Sequence, residues 1–262
     1  MSTNGEIMIQ AIGLSKLYED GVLALNDLNF EVRAGEIYAM LGGNGAGKTT
    51  AIHLFLNFIE PTSGEVRIAG IDSEKDPLAA KERVAFVSEN VSLYQNFTAI
   101  QNIEYFTRIG GRTELTRKNY EQVLTRVGLD PAAFDKRLRG FSKGMRQKCG
   151  LAIAILKDAP AILLDEPTAG LDPKAGLEFV SLLEDLREEG KAILMSTHDL
   201  FRAKEVADRI GIMNNGVLVA ERTREELRNE NLEEIYVSYM AGYMDPSPAR
   251  DDSKTPLDLV AR

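Results

Sequence analysis

The chain has 262 residues, with 31 Lys and Arg against 40 Asp and Glu, which gives a formal net charge of -9. A hydrophobic fraction of 44% in a chain of this length can bury a substantial core, so a wholly disordered or collagen-like protein is excluded. The acidic balance argues against nucleic acid as a partner, so none is expected. The longest apolar run, residues 151–156, is too short for a membrane span, and the amino terminus does not resemble a signal peptide. The single cysteine, Cys149, fits a reducing compartment, and these features together predict a cytoplasmic globular protein.

The first part of the chain, up to about residue 70, is typical of strands and turns around one helix. Residues 37–41 form a short apolar run that predicts a buried strand, and a glycine-rich loop follows it. Residues 50–59 are apolar on almost every side, which predicts a buried helix. Turn-forming residues at 61–64 separate this helix from the next element.

The middle of the chain, residues 90 to about 158, changes to a mostly helical pattern. Thr98 and Gln101 have the spacing of a capping box, and Asp130 followed by Pro131 favours the start of another helix. The order of these segments predicts an α/β core that is interrupted by a helical insert.

The last part of the chain returns to short apolar strands that alternate with helices. Residues 162–164 and 193–195 predict strands, and residues 177–189 predict an amphipathic helix between them. Asn-Asn-Gly at residues 214–216, between two apolar runs, predicts a hairpin. Residues 241–262 contain little apolar material and several prolines, which predicts a loosely ordered tail.

A phosphate-binding loop is predicted at residues 42–49, which have the spacing G-x-x-x-x-G-K-[ST]. Glycines let the backbone curl so that several N–H groups point at one anion, and the helix that follows presents its positive end to the same place. Lys48 can then reach the β- and γ-phosphates, and the Thr49 hydroxyl is a ligand for Mg²⁺. The preceding apolar strand and the following apolar helix give the loop its required context, so a nucleoside triphosphate site is predicted. Its residues are Gly42, Gly43, Asn44, Gly45, Ala46, Gly47, Lys48, Thr49 and Thr50.

Two acidic residues follow the apolar run at 162–164. Asp165 at the strand end can lie near the metal ion, usually through a water molecule, and Glu166 projects differently and can polarise an attacking water. Another apolar strand ends near His198, where a single histidine has both a structural and a functional interpretation. The acidic pair after a phosphate loop and a long insert predicts hydrolysis of the bound triphosphate.

Two further motifs connect the chain to a known family. Residues 141–148 read Phe-Ser-Lys-Gly-Met-Arg-Gln-Lys, and residues 169–173 read Ala-Gly-Leu-Asp-Pro. With the phosphate loop, the acidic pair and His198 in this order and spacing, the chain resembles the ATP-binding subunit of an ABC transporter over roughly residues 6–240. The resemblance implies ATP and Mg²⁺ as the bound groups.

The resemblance also implies a fold and a domain organisation. The fold is α/β, a P-loop NTPase core with a mixed sheet, an antiparallel β subdomain and a helical insert that carries the signature motif. One ATPase domain would comprise residues 6–240. Its core would consist of residues 6–88 and 159–222, its helical subdomain would consist of residues 89–158, and residues 241–262 would be the tail.

Three site residues have their roles from this resemblance. Tyr18 lies where such proteins stack an aromatic ring on adenine, although an ordinary aromatic residue at a strand end is the alternative. Glu89 stands where the family usually has a metal-coordinating glutamine. His198 matches the histidine that contacts the γ-phosphate, which favours its functional interpretation.

A head-to-tail homodimer with two nucleotides at its interface is implied as well. Each ATP would be held between the phosphate loop of one subunit and the signature residues Ser142 and Gly144 of the other, while Asp172 would act across the interface. Ser142 has a second interpretation, because a serine in this position can cap the helix that begins there. Both interpretations can hold together.

The signature departs from the commonest family pattern. Lys143 replaces a glycine and Met145 replaces a glutamine, and the resulting S-K-G-M form resembles separate ATPase subunits that serve exporters. Glu89 adds a negative charge where the family usually has an amide. These departures leave the reaction class unchanged, and the S-K-G-M form favours export as the direction of transport.

An integral membrane subunit is the partner that the resemblance implies. A chain with an acidic balance and no span would attach to the cytoplasmic face of a membrane through such a protein, which would dock beside Glu89. Residues 90–97 supply apolar and aromatic material for docking, which could equally be core of the insert: Val91, Leu93, Tyr94 and Phe97.

Two other functions compete with the transport ATPase. Some ABC-type ATPases are soluble machines of DNA repair or translation, but these usually have two ATPase halves, a long coiled coil or a basic insertion, and this chain has none of these features. A regulatory nucleotide-binding module without turnover is the third possibility. The intact Asp165, Glu166 and His198 argue against it.

Overall fold

The computed structural model describes residues 5–228 and 230–240. The strands in chain order are β1 (Ile7–Leu17), β2 (Leu23–Arg33), β3 (Ile37–Leu41), β4 (Ser63–Ile68), β5 (Ile71–Asp72), β6 (Val84–Val87), β7 (Ala161–Asp165), β8 (Ala192–Thr197), β9 (Arg209–Asn214) and β10 (Val217–Thr223). The helices are α1 (Lys48–Phe55), α2 (Pro77–Glu82), α3 (Ala99–Ile109), α4 (Arg117–Arg126), α5 (Lys143–Lys157), α6 (Pro173–Glu188), α7 (Leu200–Val206) and α8 (Leu232–Met240). Short 3-10 helices occur at Pro131–Ala133, Leu138–Gly140 and Glu226–Arg228.

The strands form two sheets. The smaller sheet is antiparallel, with the strand order β2-β1-β4-β5. The larger sheet has the order β10-β9-β3-β8-β7-β6, and in it only β10 runs antiparallel to its neighbour. This is the mixed sheet with an antiparallel β subdomain that the family resemblance implied. Helices α3 to α5 lie between β6 and β7 in chain order, where the helical insert was predicted.

Strand β3 lies in the middle of the larger sheet, and all five of its residues are buried. Successive side chains of a strand point to opposite faces. Ile37, Ala39 and Leu41 accordingly join a core with α3 to α6, whereas Tyr38 and Met40 join a core with α1 and the antiparallel sheet. The larger sheet is therefore covered on both faces, which a parallel sheet requires.

The local predictions are partly confirmed. Thr98 and Gln101 form the predicted capping box, and the Asn214–Val217 pair closes the predicted hairpin. The helix predicted at residues 50–59 instead begins at Lys48 and ends at Phe55, because Asn57 has a left-handed backbone with φ 50°.

Two helix starts also differ from the sequence prediction. The helix predicted from residue 177 begins a turn earlier, at Pro173, because the Asp172 carboxylate accepts a hydrogen bond from Ala175 N–H (2.9 Å) and caps it. Asp130 starts only the 3-10 turn Pro131–Ala133 rather than a longer helix.

In the part of the chain that the structure describes, no helix combines the length and apolar character needed to cross a bilayer. The predicted tail, residues 241–262, lies outside the described residues.

Cys149 generates a prediction about reactivity. Its side chain is fully buried in α5, and burial raises the pKa of the thiol to about 12. The thiol of the unfolded chain has a pKa of about 8.5 and therefore loses its proton at a lower pH than the folded chain does. The free energy of unfolding is unaffected by this group below a pH of about 8.5 and decreases as the pH rises from there towards the folded pKa. At pH 8 we expect iodoacetamide to label the native protein more slowly than the urea-unfolded protein, by on the order of a thousandfold, because only the thiolate reacts. Mass spectrometry of labelling time courses measures this, and equal rates would contradict the assigned burial.

Candidate functional site

The loop of residues 42–47 connects the carboxyl end of β3 to the start of α1. Gly47 is the N-cap residue, and its φ of 101° is a left-handed conformation that favours glycine. No side chain caps this helix, and its first hydrogen bond runs from Ala51 N–H to the Gly47 carbonyl oxygen (2.9 Å). The N–H groups of residues 48–50 therefore have no acceptor within the helix, and the positive end of the helix dipole lies at the same place. A phosphate group would satisfy both.

The loop is held closely on one side and open on another. A β-carbon on Gly42 would lie 2.6 Å from the Met213 carbonyl oxygen, and one on Gly47 would lie 2.6 Å from the Ala24 carbonyl oxygen, so neither position accepts a side chain. A β-carbon on Gly43 or on Gly45 would have no atom within 4 Å. Exposed Asn44 lies between these two open positions, and buried Ala46 follows them. The result is a cradle that is open at Gly43 and Gly45 and has N–H donors that can bind a phosphate.

The Lys48 side chain lies inside this cradle and is only 6% exposed. Its Nζ donates to the carbonyl oxygens of Gly42 (2.7 Å) and Gly43 (3.1 Å) and lies 3.4 Å from Glu166 Oε1. The ammonium group thus connects the phosphate loop to the second acidic residue. It is positioned to neutralise phosphate charge.

Asp165 ends β7 and faces the phosphate loop. Thr49 Oγ1 lies 3.4 Å from each of its carboxylate oxygens, and the Ser196 hydroxyl donates to Asp165 Oδ1 (2.6 Å). Among the described residues, no group of three or more His, Cys, Asp or Glu side chains could hold a metal by itself. Mg²⁺ needs only one or two protein oxygens when phosphates and water complete its octahedron. The Thr49 hydroxyl and the Asp165 carboxylate fit that donor set.

Glu166 lies between Lys48 and His198. His198 Nδ1 lies 2.9 Å from Glu166 Oε2, and the His198 backbone N–H points at the same oxygen (3.4 Å). An ionised carboxylate can only accept hydrogen bonds, so Nδ1 is the protonated nitrogen in this contact. The Glu166 backbone has φ 45°, which is uncommon for a residue other than glycine. The three residues predicted to be catalytic are therefore brought together.

Tyr18 lies close to the helix that follows the phosphate loop. Its hydroxyl oxygen is 3.5 Å from Thr50 Oγ1. Lys16 Nζ lies 5.3 Å from the centre of the Tyr18 ring and donates to the Glu60 carbonyl oxygen (2.7 Å). The ring thus stands at the end of the cradle, and Lys16 is a neighbour that the sequence analysis did not identify.

The signature residues lie at the start of α5. The Ser142 hydroxyl accepts a hydrogen bond from Met145 N–H (3.2 Å), which confirms its interpretation as a helix cap. A β-carbon on Gly144 would lie 3.3 Å from Leu171 Cδ2, so α5 closely approaches the loop that leads to Asp172. In the described part of the chain, the hydrogen bonds of Ser142 and Asp172 close their own helix turns and do not reach the phosphate loop.

Glu89 follows β6 and contacts the signature helix. Its Oε1 lies 3.1 Å from Lys143 Nζ. Two of the three positions that were expected to depart from the family pattern thus form an ion pair, in which each side chain is partly exposed. Glu89 as a metal ligand stays a prediction.

The sequence analysis missed Ser196, which contacts both Asp165 and the Glu166 backbone. Its signal was a small hydroxyl residue near the end of an apolar strand, two residues before His198. That signal alone does not reveal its partners, because they lie on a different strand.

Comparison with known proteins identifies the family. Residues 25–169, more than half of the chain, match the family described as ABC transporter. This chain belongs to the ABC transporter family. The ABC transporter ATP-binding protein NatA of Bacillus subtilis is 33% identical over 241 residues, which is 88% of this chain and 97% of NatA. The bacitracin transport ATP-binding protein BcrA of Enterococcus faecalis is 35% identical over 227 residues, which is 86% of this chain and 72% of BcrA.

Solved structures agree with this family. An ATP-binding subunit of an ABC transporter superposes with a TM-score of 0.77 at 30% identity, covering 89% of this chain and 99% of that subunit. A dimeric ATP-binding cassette in a post-hydrolysis state, bound to ADP and Pi, superposes with a TM-score of 0.75 at 27% identity, covering 83% of this chain and 99% of that cassette. The predicted P-loop NTPase fold and the predicted ATPase class are confirmed, so this chain is an ATP-hydrolysing cassette.

The two interpretations of Ser142 can be separated by substitution. Removal of the cap in Ser142→Ala should lower the free energy of unfolding by about 1 kcal/mol, whereas Ser142→Asp keeps a capping oxygen and should stay within about 0.5 kcal/mol of wild type. If Ser142 also faces a γ-phosphate across a dimer, the added carboxylate would repel that phosphate. A repulsion of about 1.4 kcal/mol or more should lower the rate of phosphate release at least tenfold. Urea denaturation and a phosphate-release assay measure the two effects. A stable Ser142→Asp variant with wild-type turnover would leave only the capping role.

Proposed function

We propose that this chain powers transport, as the ATPase subunit of an exporter whose membrane-spanning part is a separate polypeptide. In this proposal ATP binding closes a head-to-tail homodimer, the closure rearranges the membrane subunit, and hydrolysis reopens the dimer. The observation that carries the proposal is the convergence of Lys48, Asp165 and Glu166 at one edge of the sheet, beside a loop with free N–H donors.

The hydrolytic step follows from the positions of these side chains. Glu166 orients the attacking water and accepts its proton, because its carboxylate is held between Lys48 (3.4 Å) and His198 (2.9 Å). Lys48 stabilises the charge that develops on the transferring phosphoryl group. Mg²⁺, when it is bound beside Thr49 and Asp165, supplies further charge neutralisation.

His198 has to change its proton or its partner to contact a γ-phosphate. With its Nδ1 proton donated to Glu166, the neutral ring has only an acceptor at Nε2. Contact with a γ-phosphate oxygen therefore requires either a second proton on the ring or the loss of the Glu166 contact. Its side chain is 58% exposed, so both changes are open to it.

The arrangement of helices supports the dimer. The buried face of α1 belongs to the core on one face of the larger sheet, and the buried face of α5 belongs to the core on the other face. The phosphate loop at the start of α1 and the signature at the start of α5 are thus separated by the sheet within one chain. A second copy would bring Ser142 and Gly144 to the nucleotide, with Asp172 at the interface. The dimeric cassette with ADP and Pi is a relative in which two copies assemble.

An exposed aromatic cluster supports a membrane partner. Tyr94 and Phe97 have ring centres 5.1 Å apart, Tyr94 and Tyr105 have ring centres 5.0 Å apart, and all three side chains remain more than a third exposed. Val91 and Leu93 instead pack against the core. The aromatic residues close to Glu89 therefore suit docking of an apolar helix from an integral membrane subunit, which would hold this chain at the cytoplasmic face. Bacitracin transport and daunorubicin/doxorubicin resistance, the roles in the names of two relatives, favour export.

Two substitutions separate nucleotide binding from turnover. Lys48→Ala should abolish tight ATP binding, because it removes the ammonium group from the cradle. Glu166→Gln should retain binding and lower turnover by at least a hundredfold, because an amide cannot accept the proton, and ATP-bound dimer should accumulate. Calorimetry, phosphate release and size-exclusion chromatography with ATP measure these effects. Glu166→Gln with wild-type turnover would refute the role of Glu166 as a base.

The membrane partner can be tested by purification from detergent-solubilised native membranes. We expect a stoichiometric polypeptide with several apolar stretches of about 20 residues. The double variant Tyr94→Ser, Phe97→Ser should lose this polypeptide, whereas Leu78→Ser, which changes an exposed apolar residue on α2 (76% exposed), should retain it. Recovery only in the soluble fraction with ribosomes or DNA-repair proteins would instead support the alternative, a soluble ATPase of translation or DNA repair.

A further inference from the structure

Ser196 makes contacts that connect both acidic residues of the site. It lies in β8, paired in register with Asp165 of β7, and its side chain is fully buried. Glu166 N–H donates to Ser196 Oγ (3.0 Å), and the Ser196 hydroxyl donates to Asp165 Oδ1 (2.6 Å). The backbone N–H of Glu166 can only donate, so Ser196 Oγ accepts in that contact. The single hydrogen of the hydroxyl is then available for Asp165 Oδ1.

The hydrogen bond from the Ser196 hydroxyl orients Asp165. With Oδ1 bound to Ser196, rotation of the carboxylate would break a short, charge-assisted hydrogen bond in a buried place, where such a loss is costly. The carboxylate is therefore held with both oxygens at 3.4 Å from Thr49 Oγ1. A metal ion held by the Thr49 hydroxyl and the Asp165 carboxylate would bind beside these atoms.

The hydrogen bond that Ser196 accepts from the backbone N–H orients Glu166. Its left-handed backbone is an uncommon conformation that the surroundings must hold in place. Ser196 supplies two acceptors for the same N–H group, its Oγ (3.0 Å) and its carbonyl oxygen (3.2 Å). The backbone turn fixed in this way directs the Glu166 side chain between Lys48 and His198.

We propose that Ser196 is a positioning residue of the ATPase site, which through one hydroxyl holds Asp165 for the metal ion and Glu166 for the attacking water. The inference rests on the proposed function, which gives these two carboxylates their roles. It assigns Ser196 no contact with the nucleotide, so the loss of its hydroxyl should affect turnover and metal dependence, and not nucleotide binding in general.

The test compares Ser196→Thr with Ser196→Val, because these side chains have the same shape and differ in the hydroxyl. Relative to the threonine variant, the valine variant should have a kcat for phosphate release that is about 10–100-fold lower, the usual effect of losing a residue that orients a metal ligand. The Mg²⁺ concentration for half-maximal rate should rise by a similar factor. ATP binding without Mg²⁺, measured by calorimetry, should agree within about twofold between the variants, since the phosphate cradle is unchanged. Ser196→Ala should behave like Ser196→Val.

Ser73→Ala is the matched control. Ser73 is also buried (3% exposed), and its hydroxyl has no hydrogen-bond partner among the described residues. Its removal should leave kcat and Mg²⁺ dependence at wild-type values. Thermal unfolding of every variant identifies any that is not folded.

Equal kcat and equal Mg²⁺ dependence in folded Ser196→Thr and Ser196→Val would overturn the inference, and so would an equal loss of ATP binding with and without Mg²⁺ in Ser196→Val. Failure of the proposed function looks different, because Glu166→Gln would then turn over like wild type. If Glu166→Gln is inactive while Ser196→Val retains the turnover of Ser196→Thr, only the role of Ser196 is refuted.

Discussion

The site depends on the parallel pairing of three neighbouring strands. In the register of the larger sheet, Leu41 of β3 pairs with Thr197 of β8, and Ser196 of β8 pairs with Asp165 of β7. Parallel strands end at the same edge, so the residues that follow them meet there. The hydrogen bonding continues past the strand ends, since Gly42 N–H donates to the Thr197 carbonyl oxygen (3.1 Å). The phosphate loop and the acidic residues are thereby held in one rigid frame.

The two faces of the larger sheet pack against different helices of the site. One face packs against α1, which begins at the phosphate loop, and the other packs against α5, which begins at the signature. Alternation of side chains along β3 makes this division possible, because neighbouring residues contribute to separate cores. A nucleotide site that needs both helix ends is incomplete in one chain, and this is the structural basis for the proposed dimer.

Two residues that were expected to depart from the family pattern are linked in space. Lys143, where a signature glycine was expected, extends to Glu89, where an amide was expected (3.1 Å). The negative charge of Glu89 is therefore compensated within the same chain. The pair also joins the segment after β6, which leads to the aromatic cluster, to α5, which begins at the signature.

The sequence by itself predicted a phosphate loop, an α/β core interrupted by a helical insert, and the class of the protein. The phosphate loop could be predicted because it consists of contiguous residues, so the sequence alone shows the motif spacing that Gly47 and Lys48 belong to. Caps and hairpins such as Thr98–Gln101 are local for the same reason. Helix lengths were less certain, because the left-handed backbone at Asn57 depends on packing as well as on residue type.

Only the tertiary structure decided which distant residues act together. The contacts of Glu166 with Lys48 and His198, and those of Ser196 with Asp165, join residues on different strands through the register of the sheet. Register is set by the packing of the whole core, which no short stretch of sequence contains. Sequence spacing therefore predicted which groups react, whereas the residue proposed to align them became visible only once the strands were paired.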